Sequence, residues 1–140
     1  MRATEIIDNL FVGNENDGMG PFDGMVINVT ETQTGRPGVT WIPICQDYTT
    51  PLGAPFMASI DQLNAVAEVI DNALANEKIK RKILVHCYAG IERSPLAIAW
   101  FLHTKRGMTL DEAYKLIKQK RPIVQDRQVW IPKPPPVGHL

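Results

Sequence analysis

Residues 83–107 constrain the fold more than any other stretch of this chain. The apolar run Ile83-Leu84-Val85 leads into His86-Cys87-Tyr88-Ala89-Gly90-Ile91-Glu92-Arg93-Ser94, and Pro95 follows at once. A short apolar run that ends at a glycine-containing loop reads as a strand buried on both faces. Ser94-Pro95 predicts a helix start, a hydroxyl cap with proline at the first helical position. The helix predicted over residues 96–106 is apolar on nearly every side, Trp100 and Phe101 included, so it belongs in the interior; Gly107 ends it. A buried strand turning through a loop into a buried helix demands layers, with a sheet inside and helices outside.

The remaining sequence supplies those layers. Ile6-Ile7 and Leu10-Phe11-Val12 are short strand candidates. Residues 13–24, with Asn14, Asn16, Asp17 and Gly18, read as turns, because their carboxylates do not alternate as a calcium loop requires. Residues 25–29 fit a strand buried on both faces, and residues 39–44 a strand that Pro43 confines to an edge or an end. Phe56, Ile60, Leu63, Ala67, Ile70 and Leu74 form one helical stripe, starting at Ser59 with Gln62 or slightly earlier near Pro55. The basic residues 78–82 make a solvated connection. Thr109 with Glu112 is a capping box for a helix that turns Leu110, Ala113, Tyr114 and Ile117 inward and stops at Pro122. The expectation is one α/β domain over residues 1–130, followed by a proline-rich polyproline II tail over 131–140. Its sheet is central and mostly parallel, flanked by helices on both faces, with the Gly90-containing loop between a central strand and a buried helix.

The chain has 140 residues, and fifteen basic residues balance fifteen acidic ones. No global field recruits nucleic acid or an anionic membrane, so any bound anion must be held by a local site. No apolar run reaches membrane-spanning length, and the opening MRATEIIDNL lacks a signal-type stretch. Two cysteines build no disulfide framework, which fits a cytoplasmic setting. Three scattered histidines offer no metal-ligand cluster, and no cofactor is expected.

Cys87 and Arg93, with Gly90 between them, gain meaning from their context. A loop entering a helix turns successive backbone N–H groups toward one concavity, an oxyanion cradle. Gly90 allows the turn, Arg93 can fork two donors onto phosphate oxygens, and the surrounding positive dipoles favour Cys87 as a thiolate.

HCYAGIERS matches the H-C-x-x-G-x-x-R-[ST] signature of the protein tyrosine phosphatase superfamily. The small size, the opening IIDNLFVGN and the segment VINVTE resemble its dual-specificity members. The resemblance implies a protein phosphatase acting on phosphotyrosine and on phosphoserine or phosphothreonine in phosphorylated proteins. Cys87 would be the nucleophile of a phosphocysteine intermediate. Arg93 and the amides of Tyr88, Ala89, Gly90, Ile91, Glu92 and Arg93 would hold the phosphoryl oxygens. Ser94 would ease departure of the thiolate, and His86 would orient the cysteine. Asp47 takes the place of the family's general acid, further upstream than in many members, with residues 49–55 as an extension. Asp61 and Asp71 lie on a polar helix face, while Glu92 and Asp126 are reserve acids. Glu92 is expected at the pocket rim, and Cys45 as a buried thiol. RNA triphosphatase and phosphoinositide readings are disfavoured by the zero net charge.

Overall fold

The computed structural model describes residues 2–45, 57–76, 78 and 81–132. Five strands form one sheet: β1 (Thr4–Ile7), β2 (Leu10–Gly13), β3 (Met25–Asn28), β4 (Thr40–Trp41) and β5 (Ile83–His86). Their spatial order is β1-β2-β5-β3-β4. Only the β1–β2 pair is antiparallel; β5 runs parallel to β2 on one side and to β3 on the other. All four residues of β5 are buried, as a central parallel strand requires.

Successive side chains of a strand point to opposite faces, and the two faces of β5 are covered unequally. Ile83 and Val85 join the main core with α2 (Ile60–Leu74), α3 (Arg93–Arg106) and α4 (Leu110–Lys120). Leu84 and His86 lie outside that cluster or beside the short α1 (Glu15–Met19), where a Cβ on Gly18 would collide with the His86 ring. Phe11 and Phe22 pack edge to face, with ring centroids 5.6 Å apart. Helices therefore lie on both faces, three against the larger core and one short helix against the other.

The inner layer follows from sequence pattern. In α3, eight residues are buried, among them Leu96, Ile98, Phe101 and Leu102, so this helix has almost no solvated face. Gly107 closes it in the left-handed region at φ 69°, conformational space that glycine enters without a Cβ penalty. Outside it, α2 buries Leu63, Val66, Ala67 and Ile70 and is capped by Ser59, whose Oγ accepts from the Gln62 amide. Pro55 and Phe56 lie outside the described residues. Thr109 Oγ1 accepts from the Glu112 amide at 3.1 Å, and Glu112 Oε1 accepts from the Thr109 amide at 2.9 Å, so α4 starts with a complete capping box.

Two stretches depart from expectation. Residues 13–24 contain α1 rather than turns alone. Asn14 and Asp17 cap each other reciprocally at 2.9 Å, a box built from residues whose low helix propensity argued against a helix. Of residues 39–44 only Thr40 and Trp41 count as strand, at the sheet edge; beyond them the Ile42 and Ile44 amides still donate to Asn28 and Val29, and Pro43 falls between them, where the alternation turns its nitrogen to the open edge. Ile131 still packs against the core, and residues 133–140, which include most of the expected polyproline segment, lie outside the described residues.

Candidate active site

The loop after β5 folds around a sulfur atom. Cys87 is 2% exposed, and its Sγ accepts the Gly90 amide at 3.2 Å and lies 3.1 Å from Ser94 Oγ. The Cys87 amide donates to the Gly13 carbonyl, and the Ser94 hydroxyl lies within reach of the same oxygen at 3.4 Å. Gly90 sits at φ +70°, where a Cβ would come within 2.7 Å of the Arg121 guanidinium and 2.8 Å of the Gly13 backbone. The turn therefore needs glycine twice, for conformation and for space.

Helix α3 begins at Arg93, three residues earlier than expected. Glu92 occupies the N-cap and makes no side-chain cap, and Ser94 is not the cap but a buried residue of the first turn. Proline is tolerated throughout a first turn because those N–H groups have no acceptor within the helix, so Ser94-Pro95 could not fix the register. The hydroxyl released from capping faces Cys87 instead.

A cavity of about 190 Å³ opens over Cys87 and Ala89, bounded by Cys45, Tyr88, Ile91, Glu92, Arg93 and Trp130. Arg93 Nη1 donates to Glu31 Oε2 at 2.5 Å, which fixes the plane of the guanidinium at the rim. Glu92 is neutralised at the rim by Arg127, whose Nε lies 3.0 Å from its carboxylate. The same guanidinium lies 5.2 Å from the Trp130 ring centroid, so one cation joins the loop to an aromatic wall. Cys45 is 1% exposed and forms no disulfide. A larger depression, about 780 Å³, opens at the opposite end of β5 near Asp8, Asn9, Arg81 and Arg106. No cysteine is among the described residues that line it.

His86 is fully buried, with Nδ1 3.3 Å from the Cys87 carbonyl. Burial pulls its pKa below the ordinary 6.5, against weaker opposing effects of that hydrogen bond and of Glu15 and Asp17, while Arg36 adds to the lowering. A neutral ring with its proton on Nδ1 donates to the loop backbone. Arg121 is 2% exposed. Its Nε donates to the Gly90 carbonyl at 2.9 Å, and Nη1 to the Arg2 carbonyl and to Thr4 Oγ1 at 3.0 and 2.8 Å. Its Nη2 has no hydrogen-bond partner among the described residues, an omission that costs about 1–3 kcal/mol.

Asp47 lies outside the described residues. Asp61 and Asp71 sit on α2, and Asp126 binds the Gln128 amide and side chain. No group of three potential metal ligands occurs among the described residues, and no helix there is long and apolar enough to cross a membrane. Glu31, Arg121, Arg127, Trp130 and Gly13 escaped the sequence reading. Glu31 stands in VINVTE, but nothing in that segment announces a pairing with Arg93, 62 residues away.

A sulfur that accepts a loop amide, in a cavity that an arginine also lines, points to phosphoryl chemistry, and comparison with known proteins decides the family. Residues 24–131 match the model described as "Dual specificity phosphatase, catalytic domain". The chain belongs to the dual-specificity phosphatase family. Among similar proteins, "Putative tyrosine phosphatase 123R" of Invertebrate iridescent virus 6 is 34% identical over 130 residues, covering 89% of this chain and 83% of the viral one. Human "Dual specificity protein phosphatase 16" is 30% identical over 128 residues; the match covers 86% of this chain but only 18% of that protein. Crystal structures of a mouse dual-specificity phosphatase complexed with zinc tungstate and of human DUSP28 share the fold. Their TM-scores are 0.70 and 0.65, with 24% and 20% identity. Each covers 91% of this chain, and the matches take in 80% and 89% of the two solved chains. This chain is a cysteine-dependent protein phosphatase. Gly13, which holds the loop from β2, precedes the stretch that matches the family.

Proposed function

We propose that this phosphatase hydrolyses phosphotyrosine, and phosphoserine or phosphothreonine as well, with Cys87 as nucleophile, Arg93 as phosphate clamp, Ser94 as hydrogen-bond donor to the departing sulfur and Asp47 as general acid and base. The observation that carries this reading is the cluster at Cys87 Sγ, with the Gly90 amide at 3.2 Å and Ser94 Oγ at 3.1 Å. In the first step the thiolate attacks phosphorus. The S–P bond forms, the bond to the leaving oxygen breaks, and Asp47 protonates that oxygen. In the second, water attacks the phosphocysteine, Asp47 takes a proton from it, and the sulfur leaves as a thiolate stabilised by the Ser94 hydroxyl. Arg93 and the loop amides hold the equatorial oxygens through both steps.

The walls support the substrate range. Tyr88, Ile91 and Trp130 give the cavity apolar and aromatic sides suited to a phosphotyrosine ring, while its small volume suits a shallow site that a shorter phosphorylated side chain can also reach. Turnover of p-nitrophenyl phosphate and of matched phosphotyrosine and phosphothreonine peptides tests the proposal. Inactivity toward every phosphothreonine peptide rejects the dual range, and inactivity toward all three substrates rejects the catalytic reading. A cytoplasmic location belongs to the same proposal, supported by two cysteines that form no disulfide; imaging of a tagged chain checks it.

A further inference from the structure

We propose that Arg121 is a positioning residue of the dephosphorylation reaction: its buried guanidinium holds the Gly90 carbonyl outward and so aims the next amide of the catalytic loop at the phosphate. The argument begins with the geometry of a trans peptide, in which C=O and N–H point in opposite directions. No cis peptide occurs among the described residues. Arg121 Nε draws the Gly90 oxygen to 2.9 Å, so the Ile91 N–H of the same peptide unit faces the other way. The Ile91 oxygen is likewise drawn off, by the Gln125 amide at 2.9 Å, and this turns the Glu92 N–H. The Gly90 N–H itself already points at Cys87 Sγ. Two successive donors, the Ile91 and Glu92 amides, thus owe their direction to what holds the carbonyls behind them. Only one of the holders carries a charge.

The position also matters electrostatically. Gly90 touches Arg121 through its carbonyl and Cys87 through its amide, so the guanidinium stands one residue behind the sulfur. A fixed positive charge there favours the anionic sulfur and the phosphoryl oxygens that accumulate charge in the transition state. Burial lowers the pKa of Arg121, an effect opposed by Asp17 and then by Cys87, and arginine keeps its proton throughout. A buried arginine with an unpartnered nitrogen is a poor choice for merely joining α4 to β1, since an apolar side chain of similar volume would fill the space. Its cost is accounted for by a task in the loop.

The inference rests on the phosphatase reading, and the test separates the two. In the full chain, Arg121→Lys, Arg121→Met and Thr4→Val are compared with wild type by kcat and KM on p-nitrophenyl phosphate, vanadate affinity and urea unfolding. Lysine keeps the charge but has no nitrogen at the Nε position that holds the Gly90 carbonyl. Arg121→Lys is expected to unfold cooperatively, at a midpoint lowered by the lost Nη1 bonds to Arg2 and Thr4, and to lose at least tenfold in kcat per folded molecule and a similar factor in vanadate affinity, with KM changing less. Millimolar guanidinium restores part of the activity of a fourth variant, Arg121→Ala. Thr4→Val, which removes an acceptor remote from the loop, lowers the unfolding midpoint and leaves kcat unchanged. Wild-type kcat and vanadate affinity per folded molecule in Arg121→Lys overturn the proposal, whether or not the methionine variant folds. An inactive wild type would instead overturn the phosphatase reading.

Discussion

Two helix starts in this molecule are built to opposite ends. At α4, Thr109 and Glu112 satisfy each other's backbone in a complete capping box. At α3, Glu92 stands at the cap position and caps nothing, Pro95 contributes no N–H, and the Ser94 hydroxyl is turned toward Cys87. The first arrangement stabilises a surface helix. The second leaves the positive end of a buried helix facing a concavity that also holds a thiol and an arginine, where an oxyanion can supply the missing acceptor. A helix start without a cap, in a chain that caps its other helices well, marks a place where local stability has been yielded to binding.

The contrast can be broken at its strong end first. Cys87→Ser and Arg93→Ala are each expected to abolish turnover, and Arg93→Ala also to weaken vanadate binding; near-wild-type rates in either variant would end the mechanism. Asp47→Asn should lower kcat by roughly 10²–10⁴ and remove the alkaline limb of the pH–rate profile, with vanadate affinity little changed. If Asp126→Asn or Glu92→Gln removes that limb instead, the acid has been misassigned. Ser94→Ala should slow phosphocysteine hydrolysis by about 10–100-fold, the value of a hydrogen bond to a charged group, and rapid-quench kinetics should then show a burst of the first product. If Ser94 were only structural, no burst would form.

At the other helix, Thr109→Ala should cost about 1 kcal/mol of stability in urea unfolding while kcat stays at the wild-type value. A loss of kcat there would erase the distinction between the two helix starts. The smallest effect belongs to His86. Its folded-state pKa lies below 6.5, so the unfolded chain takes up the proton first as pH falls. Stability is therefore lost progressively below about pH 6.5 and levels off below the folded-state pKa. His86→Asn should flatten this part of the pH–stability curve, which unfolding at a series of pH values measures.

The parts of this design that depend on local sequence were readable from it. Strand β5, the α4 capping box and the Gly107 terminator each follow from a few neighbouring residues, and the signature that pointed to the family lies within nine. What escaped depends on distance. Arg121 reaches Gly90 across 31 residues, and the end of β2 supports the loop from more than seventy residues upstream, with nothing at either position to announce the partner. Arg121 follows Lys118 and Lys120 and looks like any solvated helix terminus. The start of α3 was misplaced because a first turn accepts proline at several positions. Helix α1 was missed because its cap residues are themselves poor helix formers.

The placement of β5 between β2 and β3 has a practical consequence for anyone trimming this chain. Cutting to residues 24–131, the stretch shared with the family, would remove β1 and β2 and turn the most apolar strand of the sheet into an open edge. Its unpaired row of amides and carbonyls would then be a template for other copies of the same strand, the usual seed of aggregation. The Gly13 carbonyl that receives the Cys87 amide would go with it. An insoluble fragment of those bounds would thus report a lost neighbour rather than an intrinsically unstable catalytic loop.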